Sequence, residues 1–193
     1  MAAKGYTTKI KIENYTLQNI DSSFNTQIDN WIESVENYID QQTGRNFISD
    51  TTASAKTYNG EGGSTQKFDE FVTLTKVELG EDTKTEIVTA DRRTFPNNQE
   101  NKHTIQLKYN YFTVGPQNVT ITANWGYSAA CPEDITTAAT ILVAGMMNYS
   151  SGPKGKTQSM TIGRYSVSYS NEKQFNDFEN VKIILDSYKK YHF

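Results

Sequence analysis

Residues 132–147 read PEDITTAATILVAGMM, and this stretch decides what kind of core the chain builds. Pro132 suits the first position of a helix, where its missing N–H costs nothing. Glu133 and Asp134 complement the positive end of the helix dipole. Between Ala138 and Met147 only Thr140 and Gly145 are not apolar. A helix that is apolar nearly all round must be covered on more than one side. The stretch therefore runs through the centre of a domain, or it also faces another subunit.

Working outward, residues 24–42 give the clearest amphipathic helix. Phe24, Ile28, Trp31, Ile32, Val35, Tyr38 and Ile39 recur at three- and four-residue spacing on one stripe. Ser23 or Asn25 can cap its start, and Gly44 stands where a left-handed C-terminal residue belongs. Ahead of it, a short helix after Thr8 is favoured within residues 6–20. A last helix, over about residues 172–191, carries Phe178, Val181, Leu185 and Tyr188. Residues 159–169 alternate about Gly163 and Arg164, which predicts a hairpin or one bent strand.

Between about residues 46 and 125 the character changes to short runs of Thr, Val and aromatic residues punctuated by Gly, Asn and Asp. Residues 56–59 and 66–69 flank the loop GEGGS at 60–64, a hairpin signal. Residues 71–79 form a longer strand whose inward phase shifts near Thr75, the mark of a bulge. Further strands are expected over 85–88, 104–108 and 118–125. The last alternates cleanly, with Val119, Ile121, Ala123 and Trp125 on one face. The fold class predicted is α+β: a mainly helical core, with three main helices plus a hairpin, carrying an inserted small antiparallel sheet. The core is residues 1–49 and 126–193, and the β-rich insertion is residues 50–125.

Composition bounds the functions open to the chain. Its 193 residues suit one domain, or one domain with an insertion. Twelve Tyr, nine Phe and two Trp supply the contact area of an ordered protein. A formal charge of −3 excludes a strongly basic nucleic-acid binder. Residues 1–150 hold twelve basic and eighteen acidic side chains, and residues 151–193 hold seven and four. The net of −6 against +3 returns the −3 and marks the C-terminal fifth as mildly cationic. A single cysteine, Cys131, permits no internal disulfide and fits a reducing compartment. The first residues lack the apolar core of a secretory signal, and no run approaches 18 apolar residues, so cytosolic synthesis without a membrane span is expected.

Candidate chemistry is thin. Residues 152–157, GPKGKT, end like a phosphate-binding loop, but the Walker spacing needs a glycine where Ser150 stands. Such a loop also follows a strand and opens a helix, whereas here a helix precedes it and a strand follows. His103 and His192 are the only histidines, too few for a multi-ligand zinc site. Cys131 lies at a helix start, a position that can lower a thiol pKa, yet it reads better as a small packing residue. Asp69/Glu70 and Glu81/Asp82 fall near strand ends and turns, where acids are commonplace. Tyr109, Tyr111 and Phe112 can stack on a sugar or base, but packing in a strand or interface is the favoured reading. No catalytic residue, metal ligand or cofactor site is predicted, and the chain is not expected to be an enzyme.

Four stretches carry a resemblance. Residues 32–47, IESVENYIDQQTGRNF, resemble the first main helix of the phage head-to-tail connector (adaptor) family, which ends in an Ile-Asp…Thr-Gly-Arg-x-Phe signature. Residues 132–139, PEDITTAA, are similar to its Pro-x-Asp-Ile-x-x-Ala helix opening. Residues 162–169, IGRYSVSY, resemble its hairpin, and residues 184–190, ILDSYKK, its Leu-x-x-Tyr-basic tail. The matches fall in the family's order and span most of the chain, which departs from the shortest members in its long β segment.

The resemblance implies a homo-oligomeric ring, usually of twelve subunits, docked on the portal and enclosing the DNA channel. It implies a virion protein at the head-tail interface, assembled in the cytoplasm of a bacterial host, with a tail-side stopper or tail protein as further partner. On that basis Tyr188, Lys189, Lys190, Tyr191 and Phe193 are expected to dock on the portal through aromatic anchors and charge. Ile141, Leu142, Met146 and Met147 are expected at the subunit interface. Lys154 and Lys156 are expected to face the channel or the next ring, with sequence-blind contact to DNA. Removing residues 188–193 is expected to weaken docking while leaving the domain folded. The competing readings are another tail-completion ring protein, or a virion β-sheet module that binds carbohydrate or a receptor through exposed aromatics on the insertion.

Overall fold

The structure, a computed structural model, describes residues 4–151, 158–162, 165–169 and 172–190. In chain order the described residues form α1 (Lys9–Thr16), α2 (Asn25–Thr43), β1 (Ser54–Gly60), β2 (Thr65–Leu79), β3 (Thr85–Glu86) and β4 (Arg92–Phe95). There follow β5 (Lys102–Leu107), β6 (Gly115–Trp125), α3 (Glu133–Ser151), β7 (Gln158–Ile162), β8 (Tyr165–Tyr169) and α4 (Glu172–Ser187). The class is α+β, with helices and sheet sharing the chain. Two compact units result: Met1–Arg45 with Cys131–Phe193, and Asn46–Ala130.

In the first unit α3 packs against α1, α2, α4 and β8. Ile135, Ala138, Ala139, Leu142 and Val143 are fully buried, while Glu133, Asp134 and Thr137 face solvent. The near-absence of a polar side on this helix is thus answered inside the chain, where four neighbours cover it. Its buried Thr140 is satisfied: Thr140 Oγ1 donates to the Thr136 carbonyl at 2.8 Å and lies 2.7 Å from Thr7 Oγ1.

Helix α2 buries Ile28, Trp31, Ile32, Val35 and Ile39 on one stripe, as its periodicity predicts. It begins differently from the expectation. Neither Ser23 nor Asn25 caps it; the N-cap position is Phe24, with no side-chain bond, and Phe24 lies outside the buried stripe. Asp21 instead caps a 3-10 turn, Ser22–Phe24, by accepting from the Ser23 N–H at 2.8 Å. The helix ends at Gly44, whose φ of 68° carries the left-handed cap, with its N–H on the Asp40 carbonyl at 2.7 Å. Helix α1 follows Thr8, whose hydroxyl caps Lys11 N–H. Helix α4 stops at Ser187, short of the expected end.

A buried acid interrupts the apolar stripe of α2. Glu36 is 1% exposed, and its carboxylate accepts the backbone N–H groups of Lys4 at 2.6 Å, Gly5 at 2.8 Å and Tyr6 at 2.9 Å. Three successive N–H groups can converge on one carboxylate because Gly5 adopts a φ of 94°, where a side chain would be strained. One turn on, Asp40 accepts from the Tyr6 hydroxyl at 2.5 Å and pairs with the Lys4 ammonium. Fully buried Tyr6 is thereby fixed on α2 by both ends of its residue.

The second unit is a six-stranded antiparallel sheet in the order β1-β6-β2-β5-β4, with β3 paired to β2. Val119, Ile121 and Ala123 of β6 are fully buried and Trp125 nearly so, packed with Phe68, Phe71, Val77, Ile105, Leu107 and Phe112. Residues 66–69 and 71–79 prove to be one strand, β2, because bulges bend it without breaking it. Its register against β6 shifts between Phe71 and Thr73 and again between Leu74 and Lys76, the second at the expected Thr75. The Thr75 carbonyl freed there accepts from Arg92 Nη2 at 2.7 Å.

The hairpin expected about residues 60–64 is corrected. Strand β1 pairs with β6, Ser54 opposite Ala123. It is tied to β2 by bonds that each involve a side chain: Lys56 Nζ to Asp69 Oδ2 at 2.8 Å, Tyr58 OH to Asp69 at 3.1 Å, and Gln66 Nε2 to the Asn59 carbonyl at 2.8 Å. The strand β4 was not anticipated, and the one expected over 85–88 is only the two-residue β3. The chain enters and leaves this unit side by side. Ser49 N–H bonds to the Ser128 carbonyl at 2.8 Å and Tyr127 N–H to the Asn46 carbonyl at 2.8 Å.

Replacing Glu36 by Ala strips three converging N–H groups of their acceptor and should cost about 3 kcal/mol in chemical denaturation. Glu36→Gln, which keeps one oxygen, should cost less. Leu142→Ala leaves a void in the helical unit and should cost about 3 kcal/mol, as for other fully buried leucines. Wild-type stability in either alanine variant would contradict the packing described.

Candidate assembly surfaces

The Thr-Gly-Arg-x-Phe run at 43–47 is built around a helix end. Thr43 Oγ1 bonds to the Ile39 carbonyl at 2.8 Å, and Gly44 reverses the chain. Arg45 then donates from Nε to the Tyr188 carbonyl at 2.5 Å, while the Thr43 carbonyl accepts the Lys190 N–H at 2.8 Å. The segment after α4 is therefore strapped to the end of α2 through its backbone. A Cβ on Gly44 would lie 3.6 Å from Lys190 Cβ, in ordinary contact. Lys189 Nζ pairs with Asp186 Oδ1 at 2.5 Å, which holds the Asp186 carboxyl below its usual range. Burial pushes the Tyr38 phenol up, with Lys189 and Asp186 acting on it in opposite directions.

Tyr188 and Lys190 are half-buried and Lys189 is exposed, while Tyr191 and Phe193 lie outside the described residues. Residues 188–190 are thus part of the helical unit. Their removal would take away two backbone attachments. Lys154 and Lys156 also lie outside the described residues. On α3, Leu142, Met146 and Met147 bury their side chains within this chain, and Ile141 alone of the four retains partial exposure.

Three apolar side chains stand out on the second unit. Tyr109, Tyr111 and Val114 are 69%, 68% and 74% exposed, whereas Phe112 between them is fully buried. Of the three aromatics Phe112 packs inside the chain, while Tyr109 and Tyr111 stand on its surface. The loop is fixed by Phe112, its N–H on the Gly63 carbonyl at 2.8 Å and its ring edge-on to Phe68 at 5.5 Å. Asn118 Nδ2 donates to the Thr113 carbonyl at 2.7 Å, and Lys108 Nζ sits 4.9 Å over the Tyr109 ring. On the first unit Ile10, Leu17 and Phe24 are likewise exposed, a set that helical periodicity alone does not flag.

The catalytic candidates are not brought together. His103 Nδ1 lies 2.9 Å from Thr104 Oγ1. Burial pushes the Cys131 thiol up, opposite to the activation a helix start can give. Asp69 is taken by Lys56 and Tyr58. Among the described residues no group of three or more His, Cys, Asp or Glu side chains is placed to hold a metal ion, and no helix is long and apolar enough to cross a membrane.

No family model matches the chain, and no curated protein matches it in sequence. Solved structures share its fold. A chain in the neck of an empty gene transfer agent particle, computed with C6 symmetry, aligns over 100% of this chain and 94% of its own, with a TM-score of 0.60 and 16% identity. A chain in the neck of the native particle, computed with C12 symmetry, aligns over 89% of this chain and 88% of its own, at TM-score 0.53 and 17% identity. A chain of the native gene transfer agent virion gives TM-score 0.55 at 16% identity, over 100% and 94%. At such identities the likeness is one of fold, and it extends over both units.

Proposed function

We propose that this chain is a structural subunit of the neck of a phage-like particle, forming the adaptor ring below the portal. The observation that carries the reading is the length of the fold likeness: nearly the whole of a neck chain, sheet unit included, aligns with nearly the whole of this one. Two of the connector-like stretches also have structural work in this chain. Gly44 and Arg45 turn the end of α2 and hold the strap, and Pro132 to Ala139 open the central helix.

In this role copies of the chain close into a ring, with twelve the expected number, since one of the similar neck structures was computed with C12 symmetry. The ring joins capsid to tail and lines the DNA channel, where contact with the phosphate backbone is sequence-blind. The strap and the residues after it, Tyr188 to Phe193, dock on the portal, and Ile141 supplies α3's remaining contact to a neighbour. A stopper or tail protein sits on the opposite side. Lys154 and Lys156 face the channel or the next ring. No step of this role requires a catalytic group.

Exposed Tyr109 and Tyr111 favour a second reading, a virion module that binds carbohydrate or a receptor. Electron microscopy of the purified chain with portal rings separates the two. An additional ring seated on the portal is expected, whereas a strictly monomeric chain that ignores portal contradicts the adaptor role. Truncations divide docking from folding. Removing residues 191–193 should weaken portal binding at unchanged thermal stability. Stopping the chain after Ser187 should lower both, by about 1–3 kcal/mol in stability for the two lost attachments. Undiminished portal binding by both truncated chains would contradict docking through the strap.

A further inference from the structure

A surface helix normally turns its apolar side inward and its polar side to water. Helix α1 carries apolar side chains on both. Ile12 is fully buried, while Ile10 and Leu17, seven residues apart on one face, are 68% and 91% exposed. Leu17 is anomalous twice over. It closes α1 in the left-handed conformation, φ 55° and ψ 31°, where glycine or asparagine is the unstrained choice, and it points a large apolar side chain at water. The left-handed turn is repaid by the Leu17 N–H on the Glu13 carbonyl, but that cap does not call for a leucine, whose side chain stays in water.

The neighbourhood is held in place. Glu13 Oε1 accepts the Ile20 N–H at 2.9 Å and Lys9 Nζ donates to Asn25 Oδ1 at 2.8 Å, tying α1 to the segment that carries Phe24, itself 53% exposed. Ile10, Leu17 and Phe24 together expose roughly 450 Å² of mostly apolar surface.

We propose that Ile10, Leu17 and Phe24 form a contact face for the next copy of this chain in a closed head-to-tail ring. The proposal rests on the ring reading above and supplies its surface. Area argues for that occupant over a free two-fold dimer. Two such patches face to face would bury only about 900 Å², below the roughly 1,200 Å² at which stable specific interfaces begin. A ring grips every subunit on two different faces and adds closure. Charge agrees. Helix α1 presents exposed Lys11 beside the patch, whereas α2 has no basic residue and carries exposed Asp29 clear of its buried stripe. Head-to-tail contact sets unlike faces together, so the basic rim of one copy has an acidic face to meet on the next.

The test uses the full chain as wild type, Ile10→Asp and Leu17→Gly, each followed by thermal melting, native mass spectrometry and electron microscopy with and without portal rings. Leu17→Gly should keep or raise the melting temperature, by up to about 2–4 °C, because it relieves the left-handed strain. Both variants should lose ring formation by about tenfold or more. Rings formed equally well by the variants overturn the proposal alone. So does a marked fall in melting temperature for Leu17→Gly, which would make Leu17 a packing residue. Variants that still form rings but no longer bind portal assign the patch to portal and overturn it too. A wild type that forms no ring under any condition overturns the adaptor reading and this proposal together, and is recognised without the variants.

Discussion

The helical unit is organised by one constraint: α3 has almost no side that tolerates water. Burying a large apolar side chain contributes about 1.5–3 kcal/mol, and α3 buries six apolar residues, large and small, from Ile135 to Ala144. That requirement dictates the surroundings. Helices α1, α2 and α4 and strand β8 lie against it, drawn from segments that begin more than a hundred residues before it and end dozens after. The segment between α2 and α3 is free to build a separate sheet because its ends, 46–50 and 125–128, bond to one another.

The cover over α3 needs its own attachment, and Glu36 provides it. A carboxylate taken out of water is tolerable only when its oxygens are fully occupied, and three backbone N–H groups occupy them. At the C-terminal end of the same helix Arg45 and the Thr43 carbonyl hold the segment after α4. Helix α2 is thus held within its C-terminal half and at its C-terminal end by chain segments distant in sequence.

Elements with a strong local period were legible from residues alone. The α2 stripe, the left-handed Gly44, the alternation of β6 and the bulge at Thr75 each follow from spacing or from a residue type suited to one backbone conformation. What escaped depends on partners that spacing does not encode. Glu36 falls on the buried stripe, three to four residues from Ile32 and Ile39, but its acceptor role depends on the chain at 4–6. The turn at 60–64 looks like a hairpin because short strands flank it, yet β6 wins the backbone pairing with β1. Phe24 has the right spacing for the stripe and lies one residue ahead of the helix. Leu17 gives no signal, since a left-handed leucine is a property of the backbone. Of the surfaces, the basic tail was visible as composition, and its strapping by Arg45 was not.

A ring subunit must combine a rigid body with surfaces that remain uncovered until assembly. The first need is met by α3 and its clamps. The second fits side chains this chain leaves exposed, on α1 and on the loop at Tyr109 and Tyr111. The most direct test of the account is a cryo-electron reconstruction of the particle that carries this chain. The account predicts a closed ring of copies between portal and tail, each fitting both the helical unit and the sheet unit. Density for the chain at a fibre or baseplate instead, with the neck built from other proteins, would contradict it.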